Sequence, residues 1–318
     1  MSLPDIPVTA LVILTLNAGT TAAAVIAGVK LQRLQPDVWL VLDSGSSDST
    51  VDAFTQAGAK VVPVDRTRFD HGATRQMAVD RLDGADIVVF MTQDAILADA
   101  EALDMLVACL DDPQVGAAYG RQVPRQGAGA IERHARLFNY PPAGAVHTME
   151  DVASIGMKAA FCSNSFAAWR RSTLLAVGGF QAPCILGEDM LTAARFLQAG
   201  HGVAYCADAR VVHSHALTAG GEARRYFDTG VMHADNARLL QAFGSAGGEG
   251  MRFVRSEVHY LATHGAALRI PEALMRDCTK LASYRLGRGY RHLPRNWCRR
   301  MSMNAAYWDQ RRRDDAMA

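Results

Sequence analysis

No stretch of this 318-residue chain approaches the roughly 18 consecutive apolar residues that a membrane-spanning helix needs. The N-terminus has no basic region followed by a long apolar run, so no signal peptide is expected. Cysteine is sparse. Residues 109, 162, 184, 206, 278 and 298 stand apart with no CxxC pair, which argues against a zinc knuckle or redox motif and points to a reducing, cytosolic setting. Neither sign of charge is in excess: the formal net charge is +1, too small for a whole-chain field that would draw nucleic acid. Two nucleotide-binding loops are also missing. The first strand–helix turn reads Asn17-Ala18-Gly19 rather than G-x-G-x-x-G, and there is no G-x-x-x-x-G-K-[ST]. A nucleotide, if bound, must be held by side chains at strand ends and by a metal.

The chain does have the composition of a well-cored globular protein, 49% hydrophobic with 20% charged residues. Strand and helix signals alternate at short spacing. Strands are expected at 8–16, 38–42, 60–64, 87–91 and 115–122, with helices at 21–34, 52–57, 73–82 and 98–110. This pattern predicts an α/β fold with a mostly parallel central sheet and helices on both faces. Residues 123–155 lack a clear period and hold three prolines and several glycines, which suggests a functional loop. A strand is expected at 161–170, a helix at 189–198, and two short strands at 203–206 and 210–213. Helices are expected at 222–243 and 251–263.

Open α/β sheets place ligands at the carboxyl edge of the strands. The buried run Ile87-Val88-Val89-Phe90-Met91 ends there in Thr92-Gln93-Asp94. Two readings of Asp94 stand side by side: a helix N-cap, or a carboxylate for a metal and a diphosphate. Asp43 ends another apolar strand before a Gly/Ser turn, which suits a nucleoside, whereas Asp48 reads as a cap. Arg75 lies in a first helical turn after Gly72, where a helix N-terminus and a guanidinium together suit a diphosphate. Arg121 leaves its strand at a polar exit. Asn164 stands within an apolar strand that also carries Trp169; these three are candidate acceptor contacts, and a backbone tie explains Asn164 equally well. Glu132-Arg133 and Phe138-Asn139-Tyr140 could grip an acceptor. Glu188 and Asp189 open a helix, either as electrostatic caps or as the general base for a sugar hydroxyl. His213-Ser214-His215 presents two imidazoles on one face of an extended segment, as structural groups or as metal ligands. Residues 285–300 hold six arginines and no acid, interleaved with apolar residues, either a solvated tail or a surface for anionic lipid.

Taken in order, Asp43-Ser44-Gly45-Ser46-Ser47-Asp48, His71-Gly72-Ala73-Thr74-Arg75, Thr92-Gln93-Asp94-Ala95, Phe138-Asn139-Tyr140-Pro141, Ser163-Asn164, Glu188-Asp189-Met190 and His213-Ser214-His215 resemble the family 2 glycosyltransferases of GT-A fold. Within that family the chain looks most similar to bacterial rhamnosyltransferases of O-antigen and related cell-surface polysaccharides. The resemblance covers about 8–235 and extends more loosely to Tyr284-Arg285-Leu286-Gly287, Leu293-Pro294 and Tyr307-Trp308. It implies a GT-A domain over 1–235, with a nucleotide-sugar half at 1–122 and an acceptor half at 123–235. A helical extension at 236–318 follows.

The resemblance also implies roles. Thr15, Asn17 and Asp43 would hold the nucleoside, Arg75 the diphosphate, and Gln93 and Asp94 the rest of the donor. Thr92-Gln93-Asp94 stands where the family has its DXD motif, with one acid instead of two. Mg2+ or Mn2+ would then lie on Asp94, His213 and, less directly, His215. Asp189, beside Glu188, would be the base of an inverting transfer. The implied donor is dTDP-β-L-rhamnose and the implied acceptor a lipid-linked or growing glycan, reached by a cytoplasmic protein peripheral to the inner membrane face. Two alternatives stay open: another donor in the same family, such as a UDP-hexose, GDP-mannose or a furanose, and a glycan-binding protein without activity.

Overall fold

The computed structural model describes residues 7–213, 217–244 and 247–317. Its strands are β1 (Thr9–Thr15), β2 (Val38–Asp43), β3 (Lys60–Pro63), β4 (Ile87–Thr92), β5 (Ile96–Leu97), β6 (Val115–Val123), β7 (Ala145–His147), β8 (Phe166–Arg170) and β9 (Gly202–Val212). They form one mixed sheet in the order β3-β2-β1-β4-β8-β6-β9-β5, with β7 paired to β9. The half β3-β2-β1-β4 is parallel, β8 runs against both β4 and β6, and β9 runs parallel to β6.

Every residue of β1 is buried, as its unbroken apolar sequence requires. Alternate side chains feed two cores. Ala10, Val12 and Leu14 join the helices His71–Arg81 and Glu188–Gln198 on one face; Leu11 and Ile13 join Gly19–Lys30, Thr50–Gln56 and Ala102–Ala108 on the other. Chain order reverses at β1, which is flanked by β2 and β4. The crevice beyond Thr15, Asp43 and Thr92 is therefore the topological switch point.

Several expectations are corrected. The stretch 123–155 is not irregular: it contains the helix Ala130–Asn139 and strand β7. The glycines and prolines that suggested a loop fall at the ends of these elements, while Ile131 and His134 bury one helix face. The two strands expected around 207–209 are one strand, β9, which carries a register shift between Gly120/Cys206 and Arg121/Arg210. The helix expected at 98–110 begins only at Ala102, after β5.

The C-terminal helices share their apolar contacts with the sheet domain: Leu261 and Ala273 form a small cluster with Ile131 of the helix Ala130–Asn139. Tyr290, Cys298, Tyr307 and Trp308 are buried in the same cluster as β1 and β4. The helices Ala219–Asp235 and Ile270–Arg288 cross at two glycines: a Cβ on Gly230 would lie 2.2 Å from the Tyr284 carbonyl, and one on Gly287 would lie 2.0 Å from that of Phe227. Asp235 then collects the tail, accepting from the hydroxyls of Tyr290 and Tyr307 and from Arg291 and Arg311. Among the described residues no helix is long and apolar enough to cross a membrane.

Candidate active site

The carboxyl ends of β1 and β2 are laced together before any ligand is considered. Asp43 Oδ1 accepts from the hydroxyls of Thr15 (2.8 Å) and Ser46 (2.5 Å), and Oδ2 from the amides of Gly45 (3.0 Å) and Ser46 (2.8 Å). A carboxylate offers about four acceptor positions, so Asp43 and Thr15, both buried, build the turn. Asn17 holds a positive φ of 50° and accepts from the Ser47 amide through Oδ1 (2.8 Å). It is exposed, and its Nδ2 has no hydrogen-bond partner among the described residues. Asp48 joins the same lacework through Gly19 and Thr50.

Gln93 was expected at the donor. Its amide instead clasps the backbone of Leu16 in both directions, at 2.7 and 3.1 Å, and so ties β4 to the end of β1. Arg75 departs further from expectation. The helix His71–Arg81 lies on the core, with Thr74, Arg75, Ala78 and Val79 buried on one side. Its N-terminus is already closed by Asp70, which accepts from Ala73 and Cys184 at 2.8 and 2.9 Å. Gly72 is needed there because a Cβ would meet the Gln181 carbonyl at 1.8 Å. The Arg75 guanidinium, 4% exposed, binds Glu188 Oε1 at 2.5 Å and has no open path to a diphosphate.

Glu188 is equally buried and also takes the Asn164 Nδ2 amide at 3.2 Å, so its carboxylate is spent on orienting its neighbours. Burial is the largest single influence and raises its carboxyl, but the charges of Arg75 and His71 and the Asn164 hydrogen bond together hold it below its ordinary value. Asp189, the next residue, is different. It is partly exposed, its Oδ2 accepts from the Asn164 amide at 2.9 Å, and its Oδ1 accepts from Met190. Burial, and then the negative charge of Glu188, raise it to about 6. The helix is not capped by either acid: Gly187, at φ +77°, fills the N-cap position.

Asn164 and Trp169 are not acceptor contacts. Trp169 is completely buried and packs edge-on against Phe180 and Phe196. Its Nε1 donates to Asn164 Oδ1 at 2.8 Å, which leaves Asn164 to orient Glu188 and Asp189. Arg121 donates from Nε to the Tyr140 carbonyl at 3.2 Å. Phe138 packs on His134 and Phe253 and Tyr140 lies in the core, so these two side chains hold structure, while Asn139 is half-buried and donates to the Ala135 carbonyl.

Asp94 lies in the turn between β4 and β5, eight residues before the next helix, which removes the N-cap reading. Its Oδ1 stands 3.4 Å from His213 Nε2. The other ring nitrogen of His213, Nδ1, is 2.9 Å from Gln122 Oε1. An amide oxygen only accepts, so Nδ1 carries the proton and Nε2 directs a lone pair, or a second proton, towards Asp94. Gln122 is itself gripped, by Arg136 Nη1 at 2.9 Å and by its own donation to Ser163 Oγ at 3.0 Å. Gln122 and Arg136 were not singled out from sequence; the only signal was a polar exit from an apolar strand. His215 lies outside the described residues. Among those described, no three His, Cys, Asp or Glu side chains converge as a metal site, so Asp94 and His213 supply two protein ligands at most.

Residues 6–230 match the model of the glycosyltransferase-like family 2. The chain is 44% identical over 300 residues to the O-antigen chain rhamnosyltransferase RfbN of Salmonella typhimurium, covering 94% of this chain and 95% of that protein. It is 41% identical, with the same coverage, to the O-antigen chain rhamnosyltransferase WbaN of Salmonella anatum. In structure it is similar to the mannosyltransferase PcManGT from Pyrobaculum calidifontis, solved in complex with GDP-Man and Mn2+. That match has a TM-score of 0.63 at 18% identity, over 89% of this chain and 88% of the other. The chain belongs to the family 2 glycosyltransferases.

Proposed function

We propose that the enzyme transfers L-rhamnose from dTDP-β-L-rhamnose to a hydroxyl of a growing or lipid-linked cell-surface glycan, inverting the anomeric carbon. The observation that carries this reading is Asp189: a carboxylate raised to about 6 and fixed on the Asn164 amide, at the edge where the sheet opens. A base of that strength is half ionised at about pH 6, is mostly ionised at neutral pH, and accepts a proton readily. The sugar is taken from the two relatives named as rhamnosyltransferases.

In the single displacement, the acceptor oxygen forms its bond to the anomeric carbon as its proton passes to Asp189. The bond from that carbon to the diphosphate oxygen breaks, and its electron pair leaves with the nucleoside diphosphate. Asn164 holds Asp189 in place, and Glu188, neutralised by Arg75, holds Asn164. Ser163 and Asn164 are consecutive, so one short loop carries both the base and, through Gln122, the His213 imidazole.

The residues present fit a divalent cation. Asp94 and His213 offer a carboxylate oxygen and an imidazole nitrogen that face each other, with the imidazole tautomer set from behind by Gln122. That mixed donor pair suits Mn2+ and accommodates Mg2+, and the structurally similar PcManGT was solved with Mn2+. When bound, such a cation supplies charge neutralisation of the leaving diphosphate. Asn17 and the Asp43 turn would meet the nucleoside. Peripheral attachment at the inner membrane face remains the reading of the basic segment, where Leu286 and Trp297 are exposed beside Arg285 and Arg300.

The experiment is a thermal-shift panel of nucleotide sugars with and without Mn2+, since a ligand that binds the native state raises its apparent stability. A metal-dependent shift with dTDP-rhamnose is expected. A shift confined to UDP- or GDP-sugars would replace the donor, and no shift with any of them would favour a glycan-binding protein without activity.

A further inference from the structure

A cavity of about 330 Å3 opens between the helices Ala130–Asn139, Ala219–Asp235 and Ile270–Arg288. Its wall carries six cations, Arg125, Arg136, Arg225, Arg269, Arg276 and Lys280, against two carboxylates, Glu132 and Glu222. Four of the cations already have acid partners. Arg125 meets Glu132 at 3.1 Å, Arg269 meets Glu272 at 2.9 Å, Arg276 meets Glu272 at 3.5 Å and Lys280 meets Asp277 at 3.1 Å. Arg136 and Arg225 do not. The side-chain partner of Arg136 is the neutral Gln122, and Arg225 forms no ion pair among the described residues.

Two guanidinium groups on one cavity wall, neither in an ion pair among the described residues, disfavour one another, although the charges of Glu132 and Asp94 act on Arg136 in the opposite sense. Burial, with a contribution from the charge of Arg225, holds Arg136 below its ordinary value. An oxygen-rich anion relieves this, and planar guanidinium forks match phosphate oxygens two at a time. The position is also informative. Arg136 donates to the same Gln122 oxygen that fixes His213, so an anion on Arg136 lies one hydrogen-bond relay from the Asp94–His213 pair. Tyr226 and Phe253 on the same wall are already engaged by the Lys280 ammonium, 5.9 and 5.4 Å from their ring centres, so the open polar groups of the cavity are its arginines.

We infer that this cavity is a phosphate-binding site built on Arg136 and Arg225, and that its ligand is a phosphate or diphosphate ester carried by one of the two substrates. The assignment to a substrate rests on the transferase reading above; the anion site itself does not. The same chemistry could come from the nucleoside diphosphate of the donor or from a phosphate on the acceptor.

Arg225 is exposed and unpaired, so Arg225→Gln should fold normally, and Arg225→Lys and Arg224→Gln serve as comparisons. Inorganic pyrophosphate titrated without metal reads the site directly. Its affinity should fall at least about tenfold in Arg225→Gln, the size of one lost charge-assisted hydrogen bond. It should recover partly in Arg225→Lys and stay unchanged in Arg224→Gln. Equal affinity in wild type and Arg225→Gln, or no pyrophosphate binding to wild type, overturns the site. Kinetics then separate the sources. If the donor supplies the phosphate, Arg225→Gln raises the dTDP dissociation constant. If the acceptor does, it raises KM for an alkyl-linked glycosyl diphosphate acceptor and leaves KM for the neutral alkyl glycoside alone. Pyrophosphate binding lost in Arg225→Gln with both substrate constants unchanged would contradict the assignment to a substrate. Inactivity of the wild-type enzyme on dTDP-rhamnose would count against the donor assignment and not against the anion site.

Discussion

The backbone amide of Asn164 donates to Asp189 Oδ2 at 2.9 Å, so the base is held from the facing loop as well as by the Met190 amide of its own helix. The side chain of the same asparagine bridges Trp169 in the core and Glu188 beside the base. The orientation of a partly exposed carboxylate is thus set by fully buried groups, and its strength by burial and by the neighbouring Glu188 charge.

That strength has a pH signature. Asp189 must be ionised to accept a proton, and its carboxyl is raised from 3.8 to about 6. The transfer rate should therefore fall as pH drops through about 6 and level off above it. Stability has the opposite sign. Ionising Asp189 costs the folded state nothing below pH 3.8, increasingly more between 3.8 and 6, and its full amount above 6. An upper bound is about 3 kcal/mol. A pH–rate profile of kcat with no inflection between pH 5 and 7 would count against Asp189 as the base.

Gln122 predicts a metal phenotype without touching metal. Gln122→Met keeps the volume and removes the acceptor that sets the His213 tautomer. Mn2+ affinity, measured by calorimetry with dTDP present, should weaken about 10- to 100-fold, as for other supporting partners of metal ligands. Gln122→Glu, which retains an acceptor, should recover part of that loss. Identical affinities in all three proteins would remove Gln122 from the site.

The Arg75–Glu188 pair is a stability element. Arg75→Met leaves Glu188 buried without its counter-charge, and urea unfolding should show a loss of about 3–5 kcal/mol. Adding Glu188→Gln should restore part of it. Should Arg75→Met leave stability intact and instead weaken donor binding, Arg75 would return to the diphosphate role that sequence suggested.

The glycine crossing tests whether the C-terminal helices belong to the catalytic body. A methyl on Gly287 is directed at the Phe227 carbonyl, so Gly287→Ala should cost about 1–3 kcal/mol and lower Tm by several degrees. A single cooperative transition at the lower temperature is expected. Two separate transitions, with only the minor one shifted, would mean an independent tail.

The strands and their ends were legible because apolar runs that finish in Asp43, Asp94 and Gln122 record burial directly. The two readings of Glu188 and Asp189 could be separated only in three dimensions: adjacent acids look alike in sequence, yet one faces Arg75 and the other the crevice. Arg75 was misread for a related reason. A cation in a first helical turn looks like an anion site until Asp70 is seen capping the same end and Glu188 is seen meeting the guanidinium from 113 residues away. Gln122 was hidden because a neutral amide carries no chemical signature; its role comes from the imidazole across the sheet on β9. The helix Ala130–Asn139 was obscured by flanking glycines and prolines, although its own residues alternate polar and apolar at helical spacing.

The most direct measurement compares Asp189→Asn with wild type in two assays on the same preparation: turnover of dTDP-rhamnose onto a glycan acceptor, and calorimetric affinity for dTDP with Mn2+. Loss of the general base should lower kcat by about 10²- to 10⁴-fold, with donor affinity within twofold and unfolding no easier than in wild type. A variant that keeps turning over, or one that loses the donor together with its activity, would contradict the account.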